Sequence, residues 1–451
     1  MASTPSLSGF PEWLPQHRLV ELHVLDTLRE TFELHGFSSI ETRAVETVEH
    51  LLRKGEIDKE VYGISRLAED EHATATASEG KLALHFDLTV PFARYVLENA
   101  GHLNFPFRRY QIQKVWRGER PQEGRAREFT QADIDVVAEN TLPFRYDIEL
   151  ALVMIEALSA LPVPEFVLRV NNRKLAEGFY RGIGLTDAPS VLREIDKLEK
   201  IGADKVMKNL CDHVGATAEQ AKAALRLAAI RTEDTGFVQQ VRDLGVTDEL
   251  MEEGLQELGE LVEEGTRRAP GRIVADLSIA RGLDYYTGTV YETVLVGHEK
   301  LGSICSGGRY ESLASTGRKA YPGVGLSIGV TRLVSRIISQ DLASVSRPVP
   351  TTVLVSLADE DSWSAAQDVA IQLRSRGIAC EVSATAAKFG KQIKYADKRG
   401  IPFVWFSTAH DDGSVVHEVK DIRSGEQIVA DPHTWLPPAG DMGVQVTATG
   451  R

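Results

Sequence analysis

The stretch that most constrains the fold is FRRYQIQKVWRGERPQEGRAREFTQADIDVV, residues 107–137. Its residue pattern predicts strands over Arg109–Arg117 and Phe129–Val137. The connection Gly118–Glu128 is basic and far longer than the roughly two to five residues that close a tight hairpin, as expected of a loop that reaches for a ligand. Residues two apart in a strand share a face, so Gln131, Asp133 and Asp135 project together while Ala132, Ile134 and Val136 take the other side. A polar face of this kind is either bathed in solvent or turned to a ligand. Arg117, ending the first strand, sets a cation where it can oppose the carboxylates.

Other elements are arranged around this unit. Leu25, Leu28 and Phe32 recur at helical spacing within Gln16–His35, and Gly36 stops that helix. A second helix follows Thr141-Leu142-Pro143, with Ile148, Leu152, Ile155 and Leu158 as its apolar stripe. Ser39–Val45 and Leu82–Phe86 read as strands. From Asp187 to Thr266 the residues turn to Ala, Leu, Glu, Lys and Arg, which predicts a helical insertion. Strand patterns resume at Thr289–Val296, Ser303–Cys305 and Gly325–Gly329. Pro348 and Pro350 mark Ser344–Thr352 as a linker. Beyond it, TTVLVSL, a helix near Ser362–Gly377, ACEVSA, a helix near Phe389–Arg399 and PFVWFS alternate strand with helix, predicting a small α/β domain rich in parallel pairs. The expected domains are therefore 1–186 and 267–343 as two parts of one core, 187–266 as the insertion, 344–352 as the linker and 353–451 as the C-terminal domain.

A net charge of −14 over 451 residues opposes long-range attraction to nucleic acid. The local distribution differs from the total. Residues 108–127 hold seven basic side chains against two acidic ones, and residues 374–399 again hold seven against two. Cys211, Cys305 and Cys380 are far apart and lack metal-ligand spacing, so neither a disulfide nor a structural zinc is expected. The first twenty residues contain no basic start followed by an apolar run, and no segment approaches the ~20 apolar residues that span a bilayer. A cytoplasmic location, with no membrane partner, is expected.

A second segment carries chemistry in its composition. Arg281-Gly282-Leu283-Asp284-Tyr285-Tyr286-Thr287-Gly288 joins a guanidinium, two phenols and glycines on the approach to a strand, which suits a polar ligand held close to backbone. Leu84-His85-Phe86-Asp87-Leu88-Thr89-Val90-Pro91, Ser306-Gly307-Gly308-Arg309-Tyr310 and Gly325-Leu326-Ser327-Ile328-Gly329-Val330-Thr331-Arg332-Leu333 stand before and after it. In this order, together with the long basic loop, they resemble the histidyl-tRNA synthetase family of class II aminoacyl-tRNA synthetases. The resemblance runs from about Gly9 to Pro437 and is weakest in the helical insertion.

That resemblance implies an α+β fold: an antiparallel sheet flanked by helices, with a helical insertion and a C-terminal α/β anticodon-binding domain. It also implies substrates and roles. Arg117 is expected on the ATP α-phosphate, Glu119 at the adenine, and Arg125 and Arg332 on the outer phosphates. Asp87, Leu88 and Thr89 form the segment expected to hold the histidine α-ammonium, with Gln131 assisting at the amino and carboxyl groups. Asp135 and Tyr286 are expected to bracket the imidazole, whose donor and acceptor a carboxylate and a phenol can both read. Tyr285 and Tyr310 complete the wall. Arg281 is expected between the amino-acid carboxylate and the α-phosphate. ATP as a substrate with Mg²⁺, tRNA for histidine and a homodimer are further implications, with no tightly bound metal and no DNA partner.

Three positions depart from the family pattern: Arg43 where motif 1 has a proline, His85 where arginine is commoner, and Thr331 where glutamate usually precedes the motif 3 arginine. The rival readings are a non-catalytic histidine-binding regulatory paralogue, an RNA-binding module without ligase activity, and a ligase for proline or threonine. The regulatory paralogue typically lacks RGLDYYTG or the C-terminal domain, and this chain has both.

Overall fold

Among the residues described, nine strands hydrogen-bond into one sheet: β1 (Ser38–Ser39), β2 (Phe107–Trp116), β3 (Glu128–Val137), β4 (Phe166–Asn172), β5 (Arg231–Thr232), β6 (Ile273–Asp276), β7 (Tyr286–Leu295), β8 (Cys305–Tyr310) and β9 (Gly323–Gly329). The computed structural model describes residues 7–52, 61–65, 81–122, 124–280, 285–315, 319–410 and 413–449. Strand order is β1-β2-β3-β9-β8-β7-β4-β6-β5. The run from β2 to β4 is antiparallel throughout, and β1/β2 and β4/β6 are parallel. The class is the α+β class expected.

Two layers cover this sheet. Ala132, Ile134 and Val136 are fully buried, and the helix Arg145–Ser159 packs on β3 and β9. Phe92, on the helix Thr89–Asn99, lies 4.3 Å under the Arg109 guanidinium on β2, so that helix covers the polar side. The N-terminal helix, Pro15–Leu34, buries Val24, Leu28 and Phe32. Its inward stripe also includes Val20, and it runs through Val24 where the sequence pattern placed Leu25.

The stretch 187–266 is helical over Ala188–Ile195, Leu198–Ile201, Ala203–Val214, Ala218–Ala228 and Phe237–Arg242, with the long helix Glu249–Arg268 closing it. It also carries β5, which the composition did not signal and which joins the sheet beside β6. The helix Glu249–Arg268 lies on β4 and β6 and against the helix Arg173–Gly182. A Cβ on Gly254 would stand 2.2 Å from the Leu175 nitrogen, and one on Gly178 would stand 2.3 Å from that of Met251. The two helices touch backbone to backbone.

The chain divides into two compact units, Met1–Pro11 with Val24–Arg336, and Glu12–His23 with Ile337–Arg451. In the second, Val353–Val355, Cys380–Val382 and Phe403–Ala409 pair in parallel around Val353–Val355, as the alternating pattern predicts. Val415–Asp421 and Gln427–Val429 then add two antiparallel strands, so the sheet is mixed. The physical reason is length: a parallel crossover needs about a dozen residues or more, and the connection after Ala409 has far fewer. The start of the expected linker is also strand, since Ala343–Val345 pairs with Val446–Ala448. No helix among the described residues is long and apolar enough to cross a membrane.

Candidate active site

The polar face of β3 is buried, not solvated: Gln131, Asp133 and Asp135 are 8%, 2% and 2% exposed. Burying a carboxylate is costly unless a cation or donor meets it. Asp135 has both. Its Oδ2 lies 2.6 Å from Arg109 Nη2 on β2, and its Oδ1 accepts a 2.8 Å hydrogen bond from the Tyr310 hydroxyl on β8. Burial lifts Asp135 to about 6, the Arg109 charge opposing it, and lifts Asp133 to about 7 against the pull of Arg109 and a Ser327 hydrogen bond.

Arg109 belongs to the first basic island, but its charge and residue type alone did not separate it from its neighbours as part of a site. Register does so. With Trp116 opposite Glu128, counting back along the antiparallel pair puts Arg109 opposite Asp135. Gln111 Oε1 accepts from Arg109 Nη1 at 3.4 Å, and Gln111 Nε2 donates to Thr42 Oγ1 at 2.9 Å, so the buried cation is embedded in a polar row.

Thr89, Asp133, Asp135, Tyr286, Ser306, Tyr310 and Ser327 line one cavity. Tyr285 packs edge-on against Tyr286 at 4.7 Å and Tyr310 at 6.2 Å between ring centroids. Glycines make room. A Cβ on Gly325 would stand 2.0 Å from Asp135 Oδ1, and one on Gly308 would meet the Tyr286 ring at 2.7 Å. The SGGRY segment is part of β8 from Cys305 onward, whereas the sequence pattern ended a strand at Cys305. Its paired glycines lower strand propensity while permitting this close approach. Arg309 turns to the opposite side of the sheet from Tyr310 and bonds buried Asp147 at 2.7 Å.

Asp87 is buried, and its Oδ1 accepts from the Val90 amide at 3.1 Å at the start of the helix Thr89–Asn99. Its charge helps to raise both Asp133 and Asp135, which sets it close to the cavity. Leu88, just before that helix, has a fully buried side chain. Gln131 Nε2 donates to Ser327 Oγ at 2.8 Å.

The cationic residues gather at the neighbouring end of β2, β3 and β9. Arg117 Nε donates to the Phe86 carbonyl at 2.9 Å, and its guanidinium lies 5.2 Å from the Phe129 ring centroid. Arg125, exposed, pairs with Glu119 at 2.8 Å. Arg332 Nε donates to the Gly124 carbonyl at 2.9 Å, and its Nη1 to the Ser303 carbonyl, so it ties the basic loop to the start of the helix after β9. Arg281 lies outside the described residues, as does the rest of 281–284.

Each departure has a local setting. Thr331 is buried, and its hydroxyl accepts from the Thr130 amide at 2.9 Å, joining motif 3 to β3. His85 stacks on Trp116 and hydrogen-bonds the Lys114 carbonyl at 2.7 Å, with burial holding its pKa below the usual imidazole value. Arg43 reaches Glu46 at 3.2 Å, which Arg94 also holds at 2.8 Å.

A family model described as histidyl-tRNA synthetase matches residues 9–333, and one described as an anticodon binding domain matches residues 351–431. A histidine–tRNA ligase of Micrococcus luteus is 69% identical over 99% of each chain, and one of Cutibacterium acnes is 57% identical over 100% of each. The crystal structure of histidyl-tRNA synthetase from Nostoc sp. PCC 7120 superposes with a TM-score of 0.81 at 36% identity, covering 95% of this chain and 97% of that one.

Proposed function

Since this chain belongs to the histidyl-tRNA synthetase family, we propose that it activates histidine with ATP and transfers it to the 3′ end of tRNA for histidine. The observation that carries the choice of amino acid is the Asp135 carboxylate, fixed by Arg109 and Tyr310 in a cavity shared with Tyr286. A fixed acceptor beside a phenol suits an imidazole, which presents one donor and one acceptor. An apolar analogue would offer neither group a partner within the cavity. Asp87, Leu88 and Thr89, with Gln131, take the amino-acid end, and Tyr285 and Tyr310 close the wall.

In the first step the histidine carboxylate attacks the α-phosphorus of ATP, which brings its own Mg²⁺, and the bond to pyrophosphate breaks. Arg117 and Arg281 neutralise charge at the α-phosphate, Glu119 orients the adenine, and Arg125 and Arg332 receive the outer phosphates. Arg117 and Arg332 donate to backbone carbonyls and Arg125 to the Glu119 carboxylate, acceptors that a phosphate can replace. In the second step the terminal ribose hydroxyl of tRNA attacks the adenylate carbonyl and AMP leaves. Side chains position and neutralise and form no covalent bond.

The regulatory-paralogue reading gives way to the ligase because relatives named as ligases match at high identity over the whole chain. For tRNA, the helix Phe389–Arg399 offers Lys391, Lys394, Lys398 and Arg399 beside exposed Phe389 and Tyr395, the mixture that suits phosphate contact and base stacking. In this reading 353–451 reads the anticodon and 187–266 grips the acceptor arm. A cytoplasmic homodimer completes the proposal, and sedimentation at the mass of one chain would contradict it.

Histidine-dependent exchange of labelled pyrophosphate into ATP is the deciding assay. Exchange driven by another amino acid, or no exchange, would overturn the assignment. A Gly325→Ala enzyme should show a KM for histidine raised roughly tenfold or more with the KM for ATP unchanged, because the new methyl displaces the Asp135 carboxylate. Equal KM values for histidine would separate Asp135 from imidazole recognition.

A further inference from the structure

Asp133 lines the histidine cavity, yet the roles above leave it unused. It is 2% exposed, and its Oδ1 has no hydrogen-bond partner. The Oε1 of Gln131, two residues earlier on the same face, is also buried and unpartnered. Ser327 joins the two side chains: its Oγ accepts from Gln131 Nε2 and its hydroxyl bonds Asp133. That leaves two acceptor oxygens, and orphaned buried acceptors are costly until a donor meets them.

Position along β3 limits which donor that is. Successive same-face residues are about 6.4–6.8 Å apart in a strand. Asp135 reads the imidazole end and Gln131 lies toward the nucleotide end, so Asp133 faces the middle of a histidine laid along the strand. The polar group there is the α-ammonium, which has three N–H donors. Charge points the same way. The carboxylates of Asp87, Asp133 and Asp135 act on one another here, and Arg109 is the cation acting on both Asp133 and Asp135. Tyr286 on β7 and the Cys305 thiol on β8 also feel Asp133, and burial pushes both above their ordinary values, so neither adds positive charge.

We propose that Asp133 is a direct contact to substrate: its carboxylate, together with the Gln131 carbonyl oxygen, takes the histidine α-ammonium, and Asp133 gives up its proton to bulk buffer as histidine enters. This rests on the histidine reading and adds a residue to it. The sign of the pH effect follows. The Asp133 carboxyl of the empty cavity is pushed up by burial to about 7, so below neutrality it is protonated and must ionise on binding. Histidine affinity then rises with pH to about 7 and levels off above it.

The test compares histidine with its α-hydroxy analogue, which keeps the imidazole and carboxylate and lacks the ammonium. Isothermal titration with the wild-type enzyme, each affinity first corrected to the neutral-imidazole form of its own ligand because the ammonium lowers the imidazole pKa of histidine relative to that of the analogue, should show the affinity ratio of histidine to analogue rising roughly tenfold from pH 6 to pH 8. Asp133→Asn should weaken histidine roughly 10- to 100-fold, leave the analogue and ATP within about threefold, and abolish the pH dependence of the ratio. A flat wild-type ratio, or equal losses for both ligands in the variant, would overturn the proposal. The wild-type series stands without the variant if Asp133→Asn fails to fold. An enzyme that binds histidine and exchanges pyrophosphate but gives a flat ratio overturns this contact alone, and one that does neither overturns the histidine assignment with it.

Discussion

An Arg117→Ala enzyme is expected to exchange pyrophosphate into ATP ~10²–10³-fold more slowly than the native protein, with most of the loss in kcat. The guanidinium is held before substrate arrives: Nε donates to the Phe86 carbonyl, and the Phe129 ring flanks the group. A cation fixed in this way pays little reorganisation when charge builds on the α-phosphate, so its contribution falls on the transition state and not on ground-state binding. Arg117→Lys keeps the charge without the planar fork and should recover only part of the rate. A KM effect on ATP with kcat unchanged would move Arg117 from the α-phosphate to a general binding role.

Asp135→Asn should be damaging twice over. With the carboxylate gone, Arg109 loses the group it is paired with, and breaking a buried pair in this way costs about 3–5 kcal/mol of stability. The Arg109 side chain is sealed from bulk solvent, which therefore does little to replace the lost carboxylate. Histidine use should fall by ~10²-fold or more, since the acceptor facing the imidazole becomes an amide. Adding Arg109→Gln to Asp135→Asn separates the two effects: urea denaturation should show stability regained in part, while histidine activation stays low. If the double variant is no more stable than the single, the ion pair is not what holds this layer together.

Sequence carried much of this arrangement, for identifiable reasons. Two-residue periodicity put Gln131, Asp133 and Asp135 on one face, and a loop too long for a hairpin marked the basic end beside it. The interrupted core followed from where strand patterns stop and resume, and the α+β class from the family resemblance. What escaped was set by partners distant in the chain. Arg109 looks like any residue of a basic island until the strand register pairs it with Asp135. The β8 strand was hidden because Gly307 and Gly308 serve packing at the expense of strand propensity. Val415–Asp421 and Gln427–Val429 join the second sheet because short connections reverse the chain, a consequence of loop length that residue alternation does not express. Thr331 departs from the family pattern, but its hydroxyl engages the backbone of β3, which no scan of side-chain charge would register.

The two-residue strand Arg231–Thr232 makes the helical insertion something other than an appendage on a hinge. It is stitched to the sheet margin beside Ile273–Asp276, and the Gly178 and Gly254 contacts clamp the long helix that leads out of it. A pull exerted on this outer module meets β6, then β4, then β7, which carries Tyr286. Its root is therefore mechanically in series with the wall of the cavity that Tyr286 lines.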